Sequence, residues 1–266
     1  MDAQHAHRVG VVIPFYRHRD RLERCLEHLR AQTASGIEIF VRDNSHDNIY
    51  FTAAVNEGLR RFCWEQRLPY VVVLNQDAYL DPTAIEALVD FLDRTPECGI
   101  ACPVQVNDRG EPSWAGSLRA WPTGQHRLDP APPEGKPLET YWANGAAQMI
   151  RTAVVQEVGL WDRNLRFLFS DSDFSFRARA CGWKIHVVPA ARCEHALSGS
   201  AADSNPTLEL VKVEDGIHFA RKWLSGDLYR SLACEGPTML RLAVTRELDM
   251  LERMAAEWRR QLKLSP

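Results

Sequence analysis

Residues 70–82 read Tyr-Val-Val-Val-Leu-Asn-Gln-Asp-Ala-Tyr-Leu-Asp-Pro. Tyr70 to Leu74 is a continuous apolar run, the pattern of a central strand buried on both faces. The polar Asn75-Gln76-Asp77 ends it. Asp81 is then placed to cap a helix with Pro82 at its first position. Ile85, Leu88, Val89 and Leu92 form the buried stripe of that helix. A buried strand leading through a polar turn into a helix is the repeating unit of an α/β sheet.

The same unit recurs toward the N-terminus. Val9 to Phe15 is a short apolar run closed by Pro14, and a helix follows at once. Asp20 is placed to cap it and Glu23 to complete a capping box. Leu22, Cys25, Leu26 and Leu29 share one face of this helix. Ile37 to Val41 reads as a second strand, ending at Asp43-Asn44-Ser45. Toward the C-terminus Ile100 to Val106 reads as a further strand. The rhythm predicts a mostly parallel central sheet with helices on both faces.

The rhythm stops over residues 107–141, which carry Pro112, Pro122, Pro130, Pro132, Pro133 and Pro137. A stretch this long without periodicity reads as a functional loop or a disordered one. Trp114 and Trp121 lie in it. Structure resumes at Asn144 to Ile150, then a helix from about Thr152 to Val158 closed by Gly159. Asp171 to Cys181 reads as a helix stopped by Gly182, and Lys184 to Pro189 as a last strand. After a small, polar stretch, helices are expected near 207–224 and 237–263. The expected division is a domain at 1–204 and a helical extension at 205–266. Within the first, one half spans about 8–106 and another about 140–200.

Composition narrows the function. The chain has 266 residues, 45% of them apolar and 25% charged, which excludes disorder as a whole. The net charge of −3 is not a nucleic-acid-binding balance. Seven cysteines, none in a CxxC pair, argue against a zinc finger and a thioredoxin-like site. Free thiols suit a reducing compartment. MDAQHAHRV has no apolar signal core, and no apolar run reaches membrane-spanning length. The expectation is a soluble cytoplasmic protein without a transmembrane segment or nucleic-acid partner.

Familiar α/β chemistries fail locally. No glycine follows the first strand to admit a pyrophosphate, and there is no P-loop and no GxSxG elbow. Ligands of such sheets bind at the carboxyl ends of strands. That singles out Arg17, Asp43, Asn44, Asp77, Asp171, Asp173 and His195. Each has a plainer reading: the first acidic residues as turn formers, Asp171 and Asp173 as helix N-terminal charges, and His195 as an ordinary histidine.

At this point the motifs resemble a known family. VVIPFYRHRDRLERCLEHL resembles the opening of the family 2 inverting glycosyltransferases of the GT-A fold. IEIFVRDNSHDN resembles the strand that holds the nucleotide base in that family. Asn48 to Gly58 resembles its Asn-x-Gly-Phe-x-x-Ala-x-Asn-x-Gly segment. VVVLNQDAYLDP resembles the metal-motif strand in an Asn-x-Asp form. NGAAQMIRTAVVQEVGLWD resembles the acceptor-side segment, and FSDSDFSFRARACGWKIHVVPAARCEH the base-bearing helix through a terminal histidine. The similarity spans about residues 8 to 200 and is nearest the bacterial branch labelled rhamnosyltransferase-like.

The resemblance implies roles. Pro14, Phe15, Arg17, Asp43, Asn48, Asn56, Asn75, Gln76 and Asp77 would bind a UDP- or dTDP-sugar, with Asp43 on the base. Asp77 and His195 would hold Mn2+ or Mg2+, which neutralises a leaving diphosphate. Asp171 would be the general base for a saccharide or lipid-linked acceptor. Trp142, Asn144, Gly145, Asp173 and Arg177 would lie on the acceptor side, with Arg177 able to pair with Asp173 one turn on. Tryptophans 114, 121 and 142 are candidate sugar platforms, or else anchors of a long loop.

The sequence departs from the family pattern at Ser170, where a glutamate is frequent, at Tyr50, where glycine is usual, and at Arg17, in place of asparagine. The rival readings are a nucleotide-sugar-binding protein without catalysis and a sugar nucleotidyltransferase. Leu240, Val244, Leu248, Leu251, Ala255, Trp258 and Leu262 give the last helix one apolar stripe. It has three candidate partners: the protein's own sheet, a second copy in a homodimer, or the inner face of a membrane.

Overall fold

The structure is a computed structural model and describes residues 8–117, 135–195, 205–224 and 238–264. Side chains of residues 224 and 238–247 fall outside that description. So do Trp121 and most of the proline-rich segment.

The elements follow the predicted alternation. They are β1 (Val9–Phe15), α1 (Arg19–Arg30), β2 (Ile37–Asp43) and α2 (Tyr50–Arg60), which runs into a π-helical turn, Arg61–Glu65. Next come β3 (Tyr70–Leu74), β4 (Ala78–Leu80), α3 (Ala84–Arg94), β5 (Cys98–Val106), β6 (Pro112–Trp114) and β7 (Leu138–Glu139). The second half holds β8 (Ala147–Arg151), α4 (Thr152–Val158), α5 (Ser170–Ala180), β9 (Lys184–His195), α6 (Pro206–Leu224) and α7 (Thr238–Gln261).

The sheet order is β2-β1-β3-β8-β5-β9-β4, with β6 added to β5 and β7 to β9. β1 runs parallel to β2 and β3, and β5 parallel to β9. β8 lies antiparallel between β3 and β5 and joins the two parallel groups. All five residues of β3 are buried, as its unbroken apolar run requires. Val71 and Val73 enter the core with α2, α4 and α5, whereas Val72 and Leu74 enter the core with α1 and α3. Close packing of α2 on β1 depends on Gly58, where a Cβ would lie 2.4 Å from a Val12 methyl.

Two capping expectations are corrected. α1 is preceded by His18 in a left-handed conformation with no side-chain cap, so Asp20 sits inside the first turn. The bend comes from Arg17 and His18, with φ of 53° and 36°. α3 starts at Ala84, and the Asp81 carbonyl accepts Ala84 N–H at 2.9 Å. Thr33 N–H holds the Pro82 carbonyl at 2.8 Å, and Gln32 Oε1 from beyond α1 accepts Ile85 N–H at 3.1 Å. A neighbouring helix end thus caps α3 in place of Asp81.

The last strand also runs past its predicted end. The register against β5 slips between Pro103 and Val104, where Val188 and Arg192 are successive partners. Pro189 lies in this bulge, where a proline without an N–H is tolerated, and the strand continues to His195.

α6 packs on α5 through aromatic contacts: Phe169 stacks on Phe219 at 5.0 Å, and Phe176 meets Trp223 edge-on at 5.0 Å. α7 is covered by α6. Leu248 and Ala255 share a small core with Leu210 and Ile217, joined by Trp258 and Leu262. The described part of the stripe, from Leu248 on, therefore packs on a helix, while Leu251 stays 37% exposed; Leu240 and Val244 lie outside the described side chains. Among the described residues no helix is long and apolar enough to cross a membrane.

Candidate active site

A cavity of about 470 Å³ opens at the carboxyl ends of β1, β2 and β3. β1 contributes Pro14 and Phe15, and the turn after it Tyr16, His18 and Arg21. The ends of β2 and α2 add Asn44, Asn48, Tyr50 and Phe51. The turn after β3 adds Asn75, Gln76 and Asp77, and the end of β9 adds His195. Phe167 and the start of α6, with Asn205, Thr207 and Leu208, complete the wall. The boundary expected at residue 204 therefore runs through the wall.

Backbone strain marks the rim. Among the described residues, Arg17, His18, Tyr50 and Phe169 all have positive φ without being glycine. Such conformations cost about 1 kcal/mol each and persist where the surroundings fix them. Here they are fixed. Arg17 N–H donates to Ser45 Oγ at 3.0 Å and Tyr50 N–H to Asn48 Oδ1 at 2.9 Å. Tyr50 stands where the family pattern has glycine, and its φ of 62° is one that glycine adopts freely.

The centre of the wall is polar. Gln76 clamps Tyr16, accepting its N–H at 2.6 Å and donating to its carbonyl at 3.2 Å. Asp77 faces His195, with Oδ1 3.7 Å from Nε2, and Arg21, with Oδ2 3.6 Å from the guanidinium. Burial pushes the His195 imidazole below its usual pKa, against the pull of Asp77. His195 Nδ1 is buried without a hydrogen-bond partner among the described residues. A carboxylate and a largely neutral imidazole on one wall are a fitting donor pair for Mn2+ or Mg2+. No group of three or more such ligands occurs among the described residues, so the other positions would fall to substrate oxygens and water.

Asp43 and Arg17, both expected at the nucleotide, are exposed and lie outside the residues lining the cavity. Asp43 Oδ1 accepts Ser45 N–H at 2.8 Å, and bonding to Ser45 holds this carboxyl below its usual range. The next residue, Asn44, is buried in the wall with Oδ1 unpartnered among the described residues. The sequence marked Asn44 as a strand-end suspect but gave the role at the nucleotide base to Asp43.

Asn56 is corrected. It is 1% exposed, donates to the Trp161 carbonyl at 2.9 Å and accepts Trp161 N–H at 2.9 Å. Both halves of its amide bind α2 to the loop after α4, away from the cavity.

Asp171 sits in the first turn of α5, behind the wall. Its Oδ2 accepts Gly145 N–H at 2.8 Å and its Oδ1 accepts Ser172 N–H at 2.7 Å. Ala146, beside Gly145, accepts Asn75 N–H at 2.8 Å. Asn144 Oδ1 accepts Ala146 N–H at 2.8 Å and shapes this turn. Asp173 is fully buried and engaged with Arg177 at 2.9 Å, Lys222 at 2.7 Å and Trp223 Nε1–H at 3.1 Å. The expected Arg177 pair is present within α5, and the Lys222 and Trp223 contacts of Asp173 brace α5 against α6. Trp114 and Trp142 are 0% and 3% exposed, with ring centres 6.0 Å apart, so neither offers an open face to a sugar. They anchor the start and end of the long segment to the core.

Comparison with known proteins gives the family. The profile of Glycosyltransferase like family 2 matches residues 51–209. A search of curated proteins finds no match. Among solved structures, the mannosyltransferase PcManGT from Pyrobaculum calidifontis, in complex with GDP-Man and Mn2+, is similar at 15% identity and TM-score 0.58, over 96% of this chain and 74% of that one. GalNAc-T7 with UDP, GalNAc and Mn2+ is similar at 14% identity and TM-score 0.57, over 85% of this chain. S. aureus TarS is similar at 14% identity and TM-score 0.56, over 83% of this chain and 40% of that one. The chain spans 50% of the GalNAc-T7 structure's length. The shared architecture is the GT-A fold.

Proposed function

The chain belongs to glycosyltransferase-like family 2, and on that premise we propose that it moves a sugar from a UDP- or dTDP-sugar to an acceptor hydroxyl with inversion. The observation that carries this reading is the meeting of Asp77 and His195. More than a hundred positions apart in sequence, they face each other in one cavity wall at the strand ends.

The chain's residues divide the work. Tyr16, Phe51 and Phe167 give the cavity apolar and aromatic faces for a base or sugar ring. The Asn44 amide oxygen is a ready acceptor for the imide N–H of uracil or thymine. Arg21 brings a fixed positive charge beside Asp77, where a diphosphate would lie. Asp77 and His195 would hold the divalent cation, which would supply Lewis-acid stabilisation of the departing diphosphate.

Asp171 is the proposed base. Its oxygens accept Gly145 N–H and Ser172 N–H, which fix the orientation of the carboxylate at the start of α5. It lies in the first turn of α5. Saccharide or lipid-linked hydroxyls are the acceptors that suit this reading.

Incubating the protein with UDP- and dTDP-sugars, with and without Mn2+, and measuring nucleoside diphosphate release tests it. Metal-dependent release with at least one donor is expected. No release from either class, with no rise in melting temperature on adding UDP or dTDP, would overturn the reading.

A further inference from the structure

The loop between α4 and α5 supplies Phe167 to the cavity wall and Phe169 to the start of the helix bearing Asp171. It has no regular structure of its own, so what fixes it comes from other elements. Thr52 on α2 donates its N–H to the Arg166 carbonyl at 3.0 Å and its hydroxyl to the Leu165 carbonyl. Asp215, fully buried on α6, accepts Phe167 N–H at 2.7 Å and Leu168 N–H at 2.9 Å.

The Arg166 side chain continues the chain of contacts. Its guanidinium bonds Glu214 of α6, lies 3.6 Å from Asp215 Oδ1, and sits 5.8 Å from the centre of the Tyr50 ring. Glu214 is gripped from its other side by Arg259 of α7, with Nε to Oε1 at 2.7 Å and Nη2 on Oε2. Arg259 thus reaches Tyr50 and Phe167, two residues of the wall, through Glu214 and Arg166.

Resting on the reading of this cavity as a donor site, we propose that Arg259 is a positioning residue: through Glu214 and Arg166 it fixes the 165–169 loop and so sets the shape of the donor cavity. Arg259 and Glu214 are 19% and 22% exposed, so their fork-like pair is less screened than a surface pair. α7 has a separate means of attachment, the apolar contacts of Leu248, Ala255 and Trp258 on α6. Removing the Arg259 charge therefore separates loop positioning from helix docking.

The test uses the full chain with Arg259→Gln, Glu214→Gln, their combination and Arg259→Lys. Hydrogen exchange is followed in peptides covering 160–169 and 248–261, and affinity for UDP and dTDP with Mn2+ is measured. Arg259→Gln should speed exchange in 160–169 by about tenfold while 248–261 stays protected. Nucleotide affinity should fall about three- to tenfold. The double variant should be no worse than either single one, and Arg259→Lys should recover part of the loss. Unchanged exchange in 160–169 would overturn the proposal, as would equal loss of protection in both peptides, which would mark Arg259 as packing alone. If the unaltered protein bound neither nucleotide, the donor reading would fail while the exchange result still decided the role of Arg259.

Discussion

Gly145 N–H donates to Asp171 Oδ2 at 2.8 Å, and the next carbonyl, that of Ala146, accepts Asn75 N–H at 2.8 Å. Two consecutive residues therefore tie the proposed base to the turn that carries Asp77. Replacing Asp171 by Asn keeps a side chain of the same shape and one oxygen for Gly145. Sugar transfer should fall by about two or more orders of magnitude, the usual scale for a general base. Nucleotide affinity should stay close to that of the parent. Near-parental turnover would remove Asp171 from the mechanism.

Asp77→Ala and His195→Ala should each weaken Mn2+-dependent nucleotide binding, and Asp77→Ala more, since it removes the charged partner of both His195 and Arg21. Titrating Mn2+ at fixed UDP in each variant measures this. If both variants kept the parental metal dependence, the cation site would have to lie elsewhere.

Asn56→Ala should lower stability by about 1–3 kcal/mol, because it leaves a buried Trp161 N–H and carbonyl without their partners. Donor KM should change little at temperatures where the variant is folded. A raised donor KM with unaltered melting temperature would return Asn56 to the nucleotide site.

Acid should loosen the seat of α6. Burial pushes the Asp162 carboxyl up, but bonds from Lys222, Asn164 N–H and His218 outweigh it and hold its pKa well below the usual range. A carboxylate with a depressed pKa stabilises the folded state above its unfolded pKa, and that contribution fades as pH falls through the folded value. Asp162→Asn should therefore cost stability at neutral pH. The gap from the parent should close progressively below about pH 4. Denaturant unfolding of both proteins across acid pH would show it; a gap constant with pH would refute the charge as its source.

Much of this arrangement was readable from residue types. Tyr70 to Leu74 announced a strand buried on both faces because no position in it is polar. Asp77 and His195 were marked by their places after strand ends and by family resemblance, and they do meet. Asn56 misled because an amide that binds a backbone and one that binds a ligand look alike in sequence. Asp43 and Asn44 are neighbours on a strand end, and only the three-dimensional bend decides which one faces the cavity. The cap of α3 came from Gln32, roughly fifty positions away, beyond any local pattern. Thr207 and Leu208 gave no signal, since a helix start after a polar stretch carries no mark of what it covers. Tyr50 stood out as a bulky residue at a usual glycine position, but the positive φ it adopts shows only in the structure.

The central place of β8 bears on how the protein is made. A chain growing from the ribosome can assemble β2, β1 and β3 early, but the outer edge of β3 has no partner until residue 151 has emerged. β5, complete at residue 106, must wait for β8 before it can join them, and for β9 beyond that. At a synthesis rate of about 5–20 residues per second, the β3 edge stays open for several seconds. That edge is a run of valines, the kind of strand that pairs readily with a neighbouring chain. Slow decoding between residues 75 and 146 should therefore lower the yield of folded protein without altering any residue of the finished molecule.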